Sequence, residues 1–127
     1  MKLRINGNSL RLRVSRSEVK CLLDTGRIEE TIEFGLDHEA RLTYALEHTT
    51  APIEITAIYR NKEVAVVLSS EFARRWADSP EQVGVYGRLD VCNGELSLLV
   101  EKDFACLDGT DADDKETYPN PNIGIVC

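Results

Sequence analysis

The chain has 127 residues, of which 43% are hydrophobic and 29% are charged, and its formal net charge is −7 at pH 7. These proportions are ordinary for a globular protein and exclude a chain that is disordered throughout. The negative charge argues against non-specific binding to nucleic acid or to an anionic membrane, because such binding needs clustered basic side chains. No apolar run approaches the roughly 20 residues of a membrane-spanning helix, so no membrane partner is expected.

The start of the chain bears on its compartment. After Met1 and Lys2 the sequence alternates charged and apolar residues, so it lacks the continuous apolar segment of a signal peptide. This predicts a cytoplasmic protein whose four cysteines stay mostly reduced. The length fits one compact domain, and we therefore expect a single domain over residues 1–127.

The first predicted element is a hairpin over "KLRINGNSLRLRV", in which apolar and polar residues alternate around an Asn6-Gly7-Asn8 turn. Either Asn6-Gly7 or Gly7-Asn8 as the loop keeps the apolar side chains on one face and the basic side chains on the other. Four like charges on one small face repel each other, so an acidic or anionic group is expected near them. The apolar face consists of Leu3, Ile5, Leu10 and Leu12, and the basic face consists of Lys2, Arg4, Arg11 and Arg13.

A short helix is predicted next, over "SRSEVKCLLDTG". Ser15 and Glu18 have the spacing of a capping box, and Gly26 suits the left-handed position that follows a last helical turn. Two strands with alternating apolar residues follow, "IEETIEF" and "RLTYALEH", before Pro52 interrupts the pattern.

The second half of the chain repeats this order of elements. A hairpin over "IEITAIYRNKEVAVVLSS" turns at Asn61-Lys62, and "SSEFARRWADSP" has the spacing of a short helix. A last hairpin over "VGVYGRLDVCNGELSLLVEKDF" turns at Asn93-Gly94 and pairs Val91 with Leu96.

Both halves therefore predict the order ββαββ, as a pseudo-repeat of residues 1–50 and 53–104 followed by a C-terminal strap over 105–127. The segments "ITAI", "VAVVL" and "LSLLV" are apolar on both faces, which is typical of central strands that are covered on both sides. We predict an α+β fold, in which an antiparallel sheet, strongly curved or partly closed into a barrel, is built from two ββαββ units with the two short helices outside.

The first candidate site is the polar strand face, where the basic residues of the hairpin are expected to meet polar residues of neighbouring strands. If the sheet curls so that this face points inward, the result is a cavity of mixed charge able to hold a phosphorylated ligand. The alternative is a solvated strand face with cross-strand ion pairs. The candidate residues are Lys2, Arg4, Arg11, Arg13, Glu29, Glu33 and Arg41.

This arrangement is similar in style to the triphosphate-tunnel (CYTH-like) enzymes, whose antiparallel strands direct Arg, Lys and Glu side chains into a tunnel. The N-terminal Glu-x-Glu-x-Lys pattern of those enzymes is missing here, because the chain begins "MKLRING". The resemblance implies one alternative function, a small phosphate-ester or nucleotide-handling enzyme that uses the Arg/Glu face with a divalent metal.

The second candidate site is the C-terminal segment "EKDFACLDGTDADDKETYPNPNIGIVC". Thiolates and carboxylates bind divalent metals, but the segment has no C-x-x-C pair, and the glycine of "DGTDADD" stands second rather than sixth as in a calcium loop. A metal-binding protein is a second alternative function. The other interpretation of this segment is structural, as a strap whose negative charge lies across the basic hairpin face. The candidate ligands are Cys106, Asp108, Asp111, Asp113 and Cys127.

The two ends of the chain carry a family resemblance. "MKLRINGNSLRLRVSRSEV" and "VEKDFACLDGTDADD…YPNPN" resemble a family of small uncharacterised bacterial proteins, a domain of unknown function. The resemblance implies a bacterial cytosolic protein, and it transfers no substrate, cofactor or catalytic residue.

The leading interpretation is a non-enzymatic binding or interaction domain without a cofactor, while enzymatic activity stays open. A homodimer through the apolar second half is a further alternative. The two main functions differ in one geometric respect, because an enzyme needs Arg11, Arg13, Arg41 and Glu33 to converge on one shielded cavity. A binding module leaves these side chains on an open surface.

Overall fold

The computed structural model describes residues 1–103 and Tyr118. Within these residues the chain forms eight strands and two helices in the order ββαββββαββ, which is the predicted order ββαββ followed by itself. The strands are β1 (Lys2–Ile5), β2 (Ser9–Val14), β3 (Arg27–Glu33), β4 (Arg41–Thr49), β5 (Ile55–Arg60), β6 (Glu63–Ser69), β7 (Gly84–Val91) and β8 (Gly94–Lys102). The helices are α1 (Arg16–Thr25) and α2 (Ser70–Asp78).

Helix α1 begins and ends at the residues that the sequence indicates. The Ser15 hydroxyl accepts a hydrogen bond from the Glu18 N–H, and the Glu18 carboxylate accepts one from the Ser15 N–H at 2.9 Å, so both halves of the capping box are present. Gly26 closes the helix with φ 88°, and its N–H donates to the Leu22 carbonyl at 2.8 Å. Local signals alone therefore define this helix.

Tight turns define the hairpins. The first hairpin has the loop Gly7-Asn8, because Asn6 and Ser9 exchange both backbone hydrogen bonds. The hairpin β5–β6 turns at Asn61-Lys62, and both of these residues have a positive φ, which matches the right-handed twist of the flanking strands.

The last hairpin differs from the prediction. Its loop is Cys92-Asn93, so Val91 pairs with Gly94 and Leu89 pairs with Leu96, rather than Val91 with Leu96. The shift is two residues, which leaves every side chain on the predicted face of the sheet.

The strands form two four-stranded sheets, which we call the first sheet (β1-β2-β8-β7) and the second sheet (β3-β4-β6-β5). The α+β class is confirmed, with mostly antiparallel strand pairs. The described strands form no closed barrel, and each sheet is mixed because its central pair, β2–β8 or β4–β6, is parallel. Each sheet combines the first hairpin of one half of the chain with the second hairpin of the other half. None of the helices described is long and apolar enough to cross a membrane.

The hydrophobic core draws on both sheets and both helices. Helix α1 connects the first sheet to the second, and α2 connects the second sheet to the first. Trp76 of α2 is fully buried, and its indole N–H donates to the Val83 carbonyl at 3.3 Å. The buried cluster contains Leu12, Val14, Val19, Leu22, Leu46, Val66, Leu68, Ala73, Trp76, Val85 and Val100.

Candidate functional site

The strand register places the basic residues of the first hairpin on the face of the first sheet that points away from the core. Leu12 and Val100 are buried neighbours on the core side, so the residues before and after them point outward. Lys2 pairs with Arg13 and Arg4 pairs with Arg11, which confirms that the four cations share one face. We call the outward side of β1, β2, β8 and β7 the basic face.

A depression of about 190 Å³ lies in the basic face, and its lining residues are Lys2, Arg4, Arg11 and Arg13. Two carboxylates approach this group from β8 and from the residue that follows it. Glu101 lies 2.6 Å from Arg11 Nε and 2.8 Å from Arg13 Nη2, and Asp103 lies 3.3 Å from Lys2 Nζ. The acidic neighbours expected from the charge repulsion are therefore partly supplied by the chain itself.

Glu101 holds two arginines at once. Its side chain is only 10% exposed, and one of its oxygens contacts both guanidinium groups. The Arg13 contact is a hydrogen bond of 2.9 Å from Nε, whereas the Arg11 contact is a close ion pair that is not aligned as a hydrogen bond. The described ion pair of Arg11 is made through Nε. Because a guanidinium has five N–H donors, this pairing leaves donors for a ligand.

A larger groove of about 650 Å³ continues from the depression toward β7. It lies over the backbone of β2, β8 and β7. Ser9 and Ser97 pair with each other there, and their small side chains leave room for the groove. Tyr86 and Arg88 of β7 border the groove at its far end, and Tyr86 is 71% exposed. Arg88 is exposed as well and lies 3.8 Å from Glu95.

The remaining predicted residues of this site lie on the second sheet. Glu33 pairs with Arg41 at one end of the β3–β4 ladder, and Glu29 lies beside Ala45 on the same face. The seven predicted residues are therefore divided between two sheets: the basic hairpin residues lie together, and Glu29, Glu33 and Arg41 lie apart from them. The convergence of Arg11, Arg13, Arg41 and Glu33 that an enzyme would need is not seen in the described part of the chain.

On the second sheet, Glu29 takes part in a different arrangement. Arg27 contacts Glu29 at 2.6 Å, Glu47 at 3.2 Å and also Glu63, so one guanidinium connects β3, β4 and β6. Hydrogen bonds to Glu29, and then to the other two carboxylates, raise the pKa of Arg27 against the opposing effect of its burial. This cluster links three strands of the second sheet through one guanidinium.

A second cavity, of about 480 Å³, lies beside the two helices and is bordered by Lys102 and Tyr118. Lys102 is 1% exposed, and its amine donates to the Ser79 carbonyl at 2.5 Å. Burial lowers the pKa of Lys102, and attraction to Asp78 opposes this only in part. Burial likewise raises the pKa of Tyr118 against the influence of Arg16.

Tyr118 is the described residue of the predicted strap. Its N–H donates to the Asp103 carbonyl at 2.8 Å, and its ring lies 5.0 Å from Lys102 Nζ and 5.2 Å from the Arg16 guanidinium carbon. Tyr118 thus packs beside the helices. The predicted path of the strap across the basic face falls on residues outside those described.

One serine–histidine pair is present, although the sequence has no Ser-His-Asp pattern. His48 Nδ1 and Ser70 Oγ are 2.8 Å apart and connect β4 to the start of α2. His48 Nε2 is buried and has no hydrogen-bond partner among the residues that the structure describes. The pair therefore lacks, within these residues, the carboxylate that orients the base of a catalytic triad.

The predicted metal ligands Cys106, Asp108, Asp111, Asp113 and Cys127 all lie outside the described residues. Within residues 1–103 and Tyr118, no group of three or more His, Cys, Asp or Glu side chains has the proximity needed to hold a metal ion.

Tyr86 and Arg88 were missed in the sequence because they lie in an ordinary alternating strand. The signal that identifies them is the pairing of β7 with β8 and of β8 with β2, which places Arg4, Arg11, Leu99 and Tyr86 in one row across four strands. A contact between the first and the last hairpin cannot be derived from local periodicity.

Comparison with known proteins gives one match. A family model described as "Family of unknown function (DUF7009)" matches residues 1–122. No curated protein and no solved structure matches the chain.

Proposed function

The chain belongs to this family of unknown function, and we propose from its geometry that it is a binding domain that captures an anionic group on the basic face of its first sheet. The observation that carries the proposal is the depression lined by Lys2, Arg4, Arg11 and Arg13. Arginine and lysine side chains that converge on one depression are the usual means of binding phosphate or carboxylate groups.

The charge balance supports this proposal. Four positive side chains line the depression and two carboxylates, Glu101 and Asp103, neutralise part of their charge, so two positive charges remain. Arg4 forms no ion pair with any residue that the structure describes, and its full charge is therefore offered to a ligand. On a chain whose net charge is −7, a basic face of this kind is a local exception.

The openness of the face favours binding over catalysis. The depression and the groove lie on the outward side of a sheet, and the glutamates and the arginine that would complete an enzyme site are on the other sheet. A binding domain needs neither a shielded cavity nor a general base. An enzymatic role and a metal site in the C-terminal segment remain the alternative proposals.

A thermal-unfolding comparison tests the proposed function. The double variant K2Q/R4Q removes two charges of the basic face, and R41Q/R60Q removes two exposed arginines of the second sheet as a control matched in charge. Inorganic phosphate, compared with chloride at equal ionic strength, is expected to raise the Tm of the wild type and of R41Q/R60Q more than that of K2Q/R4Q.

The expected loss in phosphate affinity for K2Q/R4Q is at least about tenfold, because a hydrogen bond to a charged group contributes roughly 1.5–3 kcal/mol. Phosphate also stabilises proteins by its exclusion from their surface, and this effect is common to both variants. Equal Tm increases in all three proteins would contradict a binding site on the basic face.

A further inference from the structure

We infer that the ligand of the basic face is a phosphate monoester that carries a planar heterocyclic ring, as a nucleoside monophosphate does. The inference rests on the proposed function and adds the chemical class of the ligand. It begins from the continuity of the two hollows, because Arg4 and Arg11 line both the depression and the groove. One ligand is thus able to occupy both and be held by the same two arginines.

The distance between the cationic and the aromatic ends fits such a ligand. Arg11 of β2, Leu99 of β8 and Tyr86 of β7 lie side by side in the register. Neighbouring strands are separated by about 4.8 Å, so Arg11 and Tyr86 are roughly 10 Å apart along this row. This span accommodates a phosphate at one end, a sugar in the middle and a ring at the other end.

Tyr86 supplies the surface for the ring. Its side chain is 71% exposed, and Leu99 lies next to it on the same face. Exposed aromatic side chains on a sheet stack with planar rings, and an arginine such as Arg88 beside the groove adds a cation–π contribution. Leu99 lies between the two ends, and the neighbouring row of the register, Ser9, Ser97 and Arg88, lines the groove beside it. The Ser9 hydroxyl donates to the Asn6 carbonyl at 2.7 Å, so the Ser97 hydroxyl is the group placed to donate to a sugar.

The charge of the depression favours a monoester over a polyphosphate. The two positive charges that remain after Glu101 and Asp103 are counted match the charge of about −1.5 to −2 that a phosphate monoester has at pH 7. A triphosphate would bring additional negative charge close to these two carboxylates.

Binding measurements with four compounds test the ligand class. Adenosine 5′-monophosphate, ribose 5-phosphate, adenosine and inorganic phosphate are titrated into wild-type protein, and the dissociation constants are compared. Adenosine 5′-monophosphate is expected to bind at least about fivefold more tightly than ribose 5-phosphate, because stacking of one base on an aromatic side chain contributes that much or more. Adenosine alone is expected to bind more weakly than either phosphate ester.

The variant Tyr86→Ala is expected to remove the advantage of adenosine 5′-monophosphate and to leave the affinity for ribose 5-phosphate unchanged. Tyr59→Ala is the matched control, because Tyr59 is 68% exposed and lies on the second sheet. Tyr59→Ala is expected to bind both esters as the wild type does.

The outcomes separate this inference from the proposed function. Equal binding of the two esters would overturn the ring site and leave the anion site in place. Adenosine binding as tight as that of its monophosphate would also overturn the inference, because the phosphate would then contribute nothing. If none of the four compounds binds, both the inference and the proposed function are wrong.

Discussion

At the scale of single residues, Lys102 is a cation held almost entirely inside the protein. Its amine donates to the carbonyl of Ser79, the residue that caps the C-terminus of α2, where the partial negative charge of a helix favours a cation. The rings of Trp76 and Tyr118 lie 5.8 and 5.0 Å from the amine. These contacts satisfy the charged group, but burial still lowers its pKa.

The lowered pKa predicts how stability depends on pH. The folded state binds the Lys102 proton less tightly than the unfolded state does. The contribution of Lys102 to the free energy of unfolding therefore increases with pH, from below the pKa of the folded state up to the ordinary value of 10.5. The free energy of unfolding of the wild type is therefore expected to increase relative to that of Lys102→Met over this range. Urea unfolding at several pH values measures the difference.

Lys20→Met is the control for that experiment, because Lys20 is exposed on α1. Its free energy of unfolding is measured at the same pH values, so that the change specific to the buried Lys102 is isolated. If the free energy of unfolding of the wild type stays constant or decreases relative to that of Lys102→Met as the pH rises, the fold does not disfavour the charged amine.

At the scale of elements, the two sheets come close to each other where β7 passes β5. Gly87 of β7 faces Ile55 of β5, and a Cβ atom built on Gly87 would meet Ile55 Cγ2 at 2.2 Å. The absence of a side chain at Gly87 therefore allows this close approach. The two residues belong to different sheets.

Gly87→Ala is expected to lower the free energy of unfolding by about 1–3 kcal/mol, the usual cost of overpacking a filled contact. Gly35→Ala is the control, because its new Cβ would lie 3.6 Å from Ala40 Cβ, an ordinary contact distance. Adding Ile55→Ala to Gly87→Ala should cost less than the sum of the two single changes. Strict additivity in denaturant unfolding would argue against the contact.

Most elements of this fold were predictable from short-range signals. The capping box at Ser15 and Glu18 and the turns at Gly7-Asn8 and Asn61-Lys62 are encoded by residues a few positions apart. The partition into two sheets was not predictable in this way. The apolar sequence of β6 predicts a central strand that is covered on both faces. It does not predict that the parallel neighbour of β6 is β4.

The same limit applies to the candidate site. Alternation within one hairpin places Lys2, Arg4, Arg11 and Arg13 on a common face, because the turn fixes the register between β1 and β2. Whether Glu33 and Arg41 join them depends on which sheet β3 and β4 enter, and this is decided by contacts distant in sequence. The contribution of Tyr86 depends on the pairing of β7 with β8 for the same reason.

At the scale of the whole molecule, the outward faces of the two sheets differ in charge. The first sheet presents five basic residues against four acidic ones, a balance of +1, and the second presents three basic residues against four acidic ones, a balance of −1. The first set is Lys2, Arg4, Arg11, Arg13 and Arg88 with Asp90, Glu95, Glu101 and Asp103, the residue that follows β8. The second set is Arg27, Arg41 and Arg60 with Glu29, Glu33, Glu47 and Glu63. On a molecule with a net charge of −7, an anion is therefore directed to the first sheet.

The most direct test of the anion site is to titrate inorganic phosphate into ¹⁵N-labelled protein at constant ionic strength and to record the backbone amide shifts. The shifts are expected to be largest in β1 and β2, around Arg4 and Arg11, and to saturate with one dissociation constant. Amides of β3 and β4 around Glu33 and Arg41 should not move. Shifts spread evenly over both sheets, or confined to the second sheet, would contradict the proposal that the basic face binds the anion.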